Sequence, residues 1–249
     1  MHNVFRTDYH IHITAWRGKD PAMTVENAVR RAHELGHVEI GLLEHLAPSR
    51  GRPIDALEYI RDELAKVEIP NGLRVRRGVE IDVTSEGTLE GPEDVRGDLS
   101  LDYVIAAVHG APSGVPDDEV IEDNHRRMLA VLGGAVRFEV LAHPWRSVLR
   151  RAAQAAGCEL TFELVPRDMQ AELIAACVEK DVAIEVNAGA TLDDPAHDVF
   201  LKNVLSAGLK LAIGSDAHFL RSLGDSEQCV VALRRIDAAP EDIWRPVGM

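Results

Sequence analysis

Short apolar and β-branched runs recur along the chain and alternate with longer stretches in which apolar residues repeat at i, i+3, i+4 and i+7. The short runs predict seven strands, over residues 6–13, 38–43, 74–83, 103–108, 138–143, 183–188 and 209–215. The longer stretches predict helices over residues 24–35, 54–67, 118–132, 168–180, 195–207 and 226–235. Because a helix is the usual crossover between two parallel strands, this alternation predicts a parallel sheet covered by helices.

A polar side chain that can bind a metal ion or a substrate lies at the carboxyl end of each predicted strand. The set consists of His12, His45, Glu80, His109, His143, Asn187 and Asp216. Successive members lie 29 to 44 residues apart, which is about one strand and one crossover helix. In a closed α/β barrel such strand ends converge on one mouth, whereas an open sheet spreads them along a line. The pattern therefore predicts an α/β fold, a TIM-like barrel of seven strands rather than eight.

The composition is that of an ordinary globular chain. Apolar residues make up 46% of the 249 residues and charged residues 27%, and no linker, charge run or internal repeat divides the sequence. We therefore predict a single domain over residues 1–249. No apolar run approaches the length of a membrane span, and the first residues lack the apolar segment of a secretory signal. These absences predict no membrane partner and a cytoplasmic location.

Charge and cysteine content narrow the range of functions. The chain has 27 basic and 41 acidic residues and a net charge of −14, so most of its surface would repel a polyanion. Nucleic acid is therefore not expected as the main partner. The three cysteines lie far apart in the sequence, which argues against a zinc knuckle or a redox pair. Nothing in the sequence indicates an oligomeric state.

Two pairs of ligand-type residues are spaced two apart on predicted strands. His10 and His12 point to the same face of the first strand and form a ready clamp for a metal ion. Asp216 and His218 repeat this spacing at the end of the last strand, which lies beside the first in a closed barrel. An isolated pair is as often two packing or surface histidines, but here two pairs face each other. Asp8, two residues before His10, either orients a ligand imidazole or is a surface carboxylate.

A further four residues complete the candidate metal site: His45, Glu80, His109 and His143. Each histidine taken alone is more often a hydrogen-bonded polar residue at a strand end. Burying all of them with two carboxylates around one point, without cations, would be costly in desolvation and repulsion. Histidine and carboxylate ligands without thiolate suit Zn²⁺, Mn²⁺ or Fe²⁺. Glu80, with two oxygens, is the natural bridge between two such ions.

These residues lie in six short motifs that span residues 8–218. The motifs are His10-Ile11-His12, Glu44-His45, Gly78-Val79-Glu80, Val108-His109-Gly110, Ala142-His143-Pro144 and Gly214-Ser215-Asp216-Ala217-His218. In their order and spacing they resemble the motifs of the polymerase and histidinol phosphatase (PHP) family. The resemblance implies a distorted seven-stranded barrel, two or three divalent metal ions at its mouth, and phosphomonoesterase or phosphodiesterase activity. It assigns one ion to His10, His12, Glu80 and Asp216, a second to Glu80, His109 and His143, and a third to His45 and His218.

The chain departs from the family pattern in two places. Many members carry a further histidine in the loop after the first pair, but residues 13–20 contain none, and Glu44 stands where an aspartate is usual. The third ion then has two histidines unless Glu44, Asp20 or water completes its ligands. Alternatively, Arg17 and Lys19 supply positive charge where that ion would lie.

The activity expected from this site is hydrolysis of a small phosphate ester by a hydroxide that bridges two metal ions. Glu80 would hold both ions, and Asp216 or His218 would pass a proton to the leaving oxygen. The alternative for Asp216 and His218 is that they act only as ligands.

Four side chains are candidates for binding the substrate: Arg146, Arg17, Lys19 and Asn187. Arg146, three residues after His143, is the first choice, because a guanidinium matches phosphate oxygens in a bidentate contact. For any one of these cations, a salt bridge at the surface is the competing interpretation. For Asn187 it is the cap of a turn.

Two other functions fit the same sequence features. A metal-dependent amide or lactone hydrolase can use a similar ligand set in an α/β barrel. A non-catalytic, metal-stabilised accessory module of the PHP type would have the same fold. The sequence identifies neither the phosphorylated substrate nor the metal.

Overall fold

The computed structural model describes residues 5–92, 94–189 and 191–247. The strands of these residues are β1 (Thr7–His12), β2 (Glu39–Leu43), β3 (His45–Leu46), β4 (Arg74–Asp82), β5 (Tyr103–Ala107), β6 (Val140–Ala142), β7 (Ala183–Asn187) and β8 (Leu211–Gly214). They lie in the order β1-β2-β4-β5-β6-β7-β8, with β3 beside β4. Every pairing between these strands is parallel, as the alternation of strands and helices predicts.

β2 and β3 act as one strand of the barrel that is interrupted at Glu44. β2 pairs with the first half of β4, from Arg74 to Arg77, whereas β3 pairs with Glu80 and Ile81 further along the same strand. If β2 and β3 are counted as one, the described strands form a seven-stranded barrel, which is the predicted number.

The barrel is nearly closed between β1 and the segment that follows β8. The His12 amide donates to the Ala217 carbonyl at 2.9 Å, and the Ala217 amide donates to the His10 carbonyl at 3.3 Å. This contact brings the two predicted ligand pairs side by side. The distorted seven-stranded TIM-like barrel is thus confirmed.

Helices cover the outside of the barrel. Those of the described residues are α1 (Val25–Glu34), α2 (Asp55–Leu64), α3 (Val95–Asp98), α4 (Val120–Leu132), α5 (Arg146–Ala156), α6 (Arg167–Lys180), α7 (Pro195–Ser206) and α8 (Ser226–Arg235). All except α3 and α5 match predicted helices to within three residues at either end. No described helix is both long and apolar enough to cross a membrane.

Aromatic side chains fill the end of the barrel opposite the mouth. The Tyr9 ring packs edge to face against Trp244, with centroids 5.3 Å apart, and Tyr103 packs against both. Tyr103 fits because β2 and β4 carry Gly41 and Gly78 beside it, where a Cβ would lie within 2.3 Å of its side chain. Since apolar packing occupies this end, the polar residues of the strands gather at the other.

Candidate metal centre

All eight predicted metal ligands lie together at the carboxyl ends of the strands. They are His10 and His12 on β1, His45 on β3, Glu80 on β4, His109 after β5, His143 after β6, and Asp216 and His218 after β8. Alternation along β1 turns His10 and His12 to the same interior face, where both are fully buried. The convergence that the sequence predicts is therefore present in the structure.

Two of these ligands have an unusual backbone. His143, directly after β6, has φ of 30°, and Asp216, directly after β8, has φ of 54°. Both values lie in the left-handed region that residues with a Cβ seldom adopt, and such residues cluster at functional sites. The sharp turns end the strands and direct both side chains into the mouth. They also explain why β6 ends before His143, the last residue of the predicted strand.

Glu80 lies at the centre of the cluster. Its Oε2 is 2.8 Å from Nδ1 of His45, 3.3 Å from Nε2 of His12 and 3.4 Å from Nε2 of His10. Its Oε1 is 3.3 Å from Nε2 of another two imidazoles, His109 and His143. One fully buried carboxylate thus contacts five histidines.

Asp216 connects the β1 histidines to the last segment of the barrel. Its Oδ1 lies 3.2 Å from Nε2 of His12, 3.6 Å from Nε2 of His10 and 3.3 Å from Nδ1 of His218. Its Oδ2 accepts a hydrogen bond from Arg146. One oxygen therefore faces the cluster while the other holds a cation at the rim.

Several buried polar atoms of the cluster have no hydrogen-bond partner among the described residues. Oε2 of Glu80, Oδ1 of Asp216 and Nδ1 of His45 are three of them. Glu80 and His45 are close, at 2.8 Å, but they are not aligned as a hydrogen bond. Leaving such atoms unsatisfied costs about 1–3 kcal/mol each. Ligand atoms that converge without satisfying one another fit a divalent cation placed between them.

The ligand atoms fall into four overlapping groups, and within each group all the ligand atoms lie within 4.8 Å of one another. The groups are His10, His12 and Asp216; His10, Glu80 and His143; His45, Glu80 and His109; and His12, His45 and His218. The second and third groups share Glu80 and nothing else, which is the arrangement expected of a carboxylate between two ions. Imidazole and carboxylate donors without thiolate suit Zn²⁺, Mn²⁺ or Fe²⁺.

Charges within the cluster shift the pKa values of its members. Burial raises the pKa of Glu80, but the neighbouring His10, His45 and His109 hold it well below its usual value. Burial lowers the pKa of His10, yet Glu185, Glu80 and other carboxylates raise it well above the usual value. Burial also lowers the pKa of His109, but the carboxylates of Glu80 and Asp82 outweigh it and raise the pKa to about 9. Glu80 is therefore an anion, as a bridging ligand must be.

Glu185 on β7 is a functional residue that the sequence analysis missed. The Nδ1–H of His10 donates to Oε1 of Glu185 at 2.6 Å, and the His143 amide donates to its Oε2 at 2.9 Å. A proton fixed on Nδ1 leaves Nε2 of a neutral His10 free to bind a metal ion. The signal was present, since Glu185 stands two residues before Asn187 and shares its face of the strand.

Neither interpretation of Asp8 is correct. The side chain is fully buried, and its Oδ1 accepts from the backbone amides of His10, at 3.2 Å, and Ser215, at 3.0 Å. Burial raises its pKa to about 7. Asp8 therefore joins the backbones of β1 and the segment after β8, and it is Glu185 that orients the His10 imidazole.

Asp82 is a second missed residue, two positions after Glu80 on the same face of β4. Its Oδ1 accepts from Nδ1 of His109 at 3.2 Å, and its Oδ2 accepts from Arg50 at 3.0 Å and Arg52 at 3.3 Å. It therefore orients His109 as Glu185 orients His10, and it connects this histidine to two arginines at the rim.

Arg146 and Asn187 lie together at the edge of the cluster. Nη1 of Arg146 donates to Oδ1 of Asn187 at 2.6 Å, and Nη2 donates to Asp216. The structure thus brings the first-choice phosphate donor to the metal ligands, and Asn187 holds its guanidinium.

Arg17 and Lys19 occupy the loop after β1. Arg17 donates to the buried carboxylate of Glu44, and Nζ of Lys19 lies 5.6 Å from the centroid of the Phe219 ring. Partial burial and the charge of Arg17 lower the pKa of Lys19. Both cations are near the mouth, because Glu44 directly precedes the predicted ligand His45 and Phe219 directly follows the predicted ligand His218.

Comparison with known proteins gives relatives of two kinds. The chain is 26% identical over 234 residues to the DNA polymerase/3′-5′ exonuclease PolX of Bacillus subtilis, covering 92% of this chain and 37% of that protein. It is 27% identical over 183 residues to the probable phosphatase YcdX of Escherichia coli, covering 70% and 64%. A probable phosphatase of Clostridium acetobutylicum is 25% identical over 240 residues, covering 94% and 87%. The chain thus spans less than two thirds of the length of the first two relatives.

Among solved structures, histidinol phosphate phosphatase from Lactococcus lactis, complexed with zinc, L-histidinol and phosphate, has a similar fold. The TM-score is 0.61 at 16% identity, and the match covers 94% of each chain. No protein-family model matches the chain. The relatives, the barrel and the order of the ligand motifs agree with the resemblance to the PHP family.

The third ion site of the PHP pattern is the least complete in this chain. His12, His45 and His218 lie close together, with the His12 ring 4.4 Å from His45 and 4.0 Å from His218 between centroids. Glu44 is bound to Arg17 and to the His45 amide at 3.2 Å. Asp20 accepts from two backbone amides, at 3.0 Å each. Neither carboxylate belongs to a ligand group of the described residues.

Glu185→Gln is expected to weaken metal binding by about 10- to 100-fold. The amide keeps the shape of the side chain but removes the negative charge that makes the His10 imidazole a better ligand. Affinity is measured by competition with a chelator of known affinity. Glu139→Gln is the matched control, because Glu139 is a partly buried carboxylate that contacts Arg96 rather than the metal ligands. Equal affinities of both variants and the unaltered chain would contradict the assigned role.

Proposed function

We propose that this protein is a metal-dependent phosphoesterase that hydrolyses a small phosphate ester. The observation that carries the proposal is that two ligand groups share Glu80. The guanidinium of Arg146 lies at the same mouth, where it contacts Asp216. The relatives named as probable phosphatases support it, as does the structural neighbour that was solved with zinc and phosphate.

His10, His12, Glu80 and Asp216 would hold one ion, and Glu80, His109 and His143 a second. When bound, such ions lower the pKa of a water molecule and balance the charge of the phosphate oxygens. The chain prepares these ligands through hydrogen bonds, because Glu185 and Asp82 fix the protons of His10 and His109 on the nitrogens that face away from Glu80.

The charge at the mouth suits an anionic substrate. The negative and positive charges of the side chains at the mouth are equal in number. The carboxylates are Glu44, Glu80, Asp82, Glu185 and Asp216, and the cations are Arg17, Lys19, Arg50, Arg52 and Arg146. Two divalent cations would therefore make the mouth positive in a chain whose net charge is −14. A positive cleft raises the local concentration of a small anion and favours its binding.

We infer that Arg146 binds the phosphate group of the substrate. Contacts with Asn187 and Asp216 hold its guanidinium at the rim, so little side-chain freedom is lost when the substrate binds. His218 lies beside Asp216 and donates from Nδ1 to the Asp216 carbonyl at 2.9 Å. With this proton on Nδ1, Nε2 of a neutral His218 has a lone pair that can bind an ion, and His218 can pass a proton to the leaving oxygen only if Nε2 is protonated as well.

Release of inorganic phosphate from a substrate panel tests the proposal. The metal-loaded chain is incubated with phosphate monoesters, a phosphate diester, an amide and a lactone of similar size. We expect turnover of at least one phosphate ester and none of the amide or lactone. Turnover confined to the amide or lactone would assign the site to another class of hydrolase, and a metal-loaded chain with no turnover of any ester would indicate an accessory module.

Removing one cation of the loop after β1 tests whether that loop binds the phosphate. Arg17→Ala and Lys19→Ala are expected to leave metal content unchanged, with kcat/KM at least about tenfold lower in one of the two. Because Arg17 pairs with buried Glu44, the double variant Arg17→Ala/Glu44→Gln controls for an unpaired buried charge. If both single variants behave like the unaltered chain while Asp20→Ala loses one metal equivalent, the loop serves a third ion instead.

A further inference from the structure

A cavity of about 220 Å³ lies beside the metal centre and shares Arg146 with it. Its lining residues are Arg146, Leu149, Arg150, Leu160, Gly189 and Thr191. The first three are spaced i, i+3 and i+4 on α5 and so lie on one face of that helix. The other three come from the segment before the 3-10 turn Phe162–Leu164 and from the loop after β7.

Arg146 links the cavity to the proposed phosphate position. Arg146 contacts Asn187 and Asp216 at the metal centre, and its side chain is also a wall of the cavity. At Gly189 a Cβ would lie 3.4 Å from Cδ of Arg146, so glycine leaves room beside this arginine. A phosphate ester bound through its phosphate to Arg146 can therefore extend its alcohol part into the cavity.

The lining has an apolar part and a cationic part. Leu149 is buried and Leu160 half-buried, which gives the cavity an apolar wall. Arg150 is exposed and makes no hydrogen bond or ion pair with the described residues, whereas its neighbour Arg151 donates to Asp117 at 2.5 Å. No carboxylate is among the described lining residues. An arginine without a partner at the edge of an apolar cavity is suited to bind an anion.

The size of the cavity limits the substrate. The cavity volume is about 220 Å³. It is smaller than the pockets of about 300–1,000 Å³ that enclose drug-sized ligands. The alcohol part that enters it is therefore compact, such as one ring with one substituent.

We propose that this cavity receives the alcohol part of the substrate and that Arg150 binds an anionic group at its far end. The substrate class is then a compact phosphate monoester with an apolar body and a second anionic group. This inference rests on the proposed phosphoesterase function and adds to it a residue that determines specificity.

Two aryl phosphates of nearly equal size test the inference with the metal-loaded chain. 4-Carboxyphenyl phosphate has the second anionic group, and 4-carbamoylphenyl phosphate has a neutral amide in its place. Arg150→Gln is expected to lower kcat/KM for the carboxylate at least about tenfold, the low end for a charge-assisted contact, and to leave the amide within about twofold. Intrinsic differences between the leaving groups cancel, because each substrate is compared with itself across variants.

Arg151→Gln is the matched control, since it removes the same charge from the next position of α5 and is expected to change neither substrate. Leu160→Trp fills the cavity and should lower kcat/KM for both aryl esters while sparing ethyl phosphate. A third substrate, 4-phosphonophenyl phosphate, shows which anion Arg150 prefers. If Arg150→Gln lowers kcat/KM for this substrate more than for 4-carboxyphenyl phosphate, the second anionic group of the natural substrate is a phosphate.

Equal effects of Arg150→Gln on the charged and neutral esters, or no effect on either, would overturn the inference. So would an equal response to Arg151→Gln. Failure of the proposed function is distinguishable, because the unaltered chain would then release phosphate from none of the esters.

Discussion

Glu80→Gln is expected to lower kcat for phosphate release by at least about 100-fold, which corresponds to about 2.7 kcal/mol of transition-state stabilisation. The Glu80 carboxylate lies within 3.4 Å of five imidazole nitrogens and belongs to two ligand groups that have no other residue in common. An amide keeps one good ligand oxygen, loses the negative charge and adds an N–H donor toward the cluster. It therefore cannot bridge two cations as an anion.

The effect of Glu80→Gln is measured as phosphate release at saturating substrate, together with metal content and thermal unfolding. Glu139→Gln again serves as the matched control, since it makes the same change away from the mouth. The control should keep the kcat of the unaltered chain, and both variants should remain folded. If Glu80→Gln keeps more than about a tenth of that kcat, Glu80 is not the shared ligand.

Removing the metal ions is expected to lower activity below about 1% and to lower the thermal unfolding temperature. Without cations the mouth contains buried ligand atoms with no hydrogen-bond partner in the described part of the chain, including Glu80 Oε2 and Asp216 Oδ1. A cation that binds the folded chain at 100 times its Kd contributes about 2.7 kcal/mol to the free energy of unfolding. The chelated chain should thus be both inactive and less stable.

Chelation is followed by dialysis, and Zn²⁺, Mn²⁺ and Fe²⁺ are then added back separately. Activity should return with at least one of them, and the ion that restores both activity and unfolding temperature at the lowest concentration is the native candidate. Chelator saturated with metal beforehand is the control for effects of the chelator itself. Full activity in a chain shown to be free of metal would exclude the proposed chemistry.

The barrel and the main ligands were predictable because both depend on strong, repeated patterns. Most strands contain an apolar run with a polar residue at its end or directly after it, and each strand and crossover helix brings the chain back to the mouth. Since parallel strands end at the same side, sequence positions as distant as His12 and Asp216 are brought together by topology alone.

The residues that orient the ligands were harder to predict, because a buried carboxylate next to a ligand looks like any polar residue on a strand. Asp82 and Glu185 each stand two residues from a predicted site residue and so share its face. That spacing is informative once the inward face is known. It does not reveal that Glu185 reaches β1, 175 residues earlier in the chain, where its partner is His10.

α5 was missed for a different reason. Its buried face is formed by Val148, Leu149, Ala152 and Ala153, which have the spacing of an amphipathic helix, so the helical pattern was present in the sequence but was not recognised. The helix also begins directly after a turn with two left-handed residues, His143 and Trp145, which no local pattern indicates. The cavity beside Arg146 depends on where this turn places the helix, and the sequence analysis therefore did not predict it.

The number of metal ions per chain tests the central claim most directly. The protein is produced in medium supplemented with zinc, manganese and iron, purified without chelator, and analysed for its elements against an accurate protein concentration. The convergence of six histidines with Glu80 and Asp216 predicts at least two transition-metal ions per chain. Fewer than one ion per chain would contradict the account of a shared metal centre at the barrel mouth.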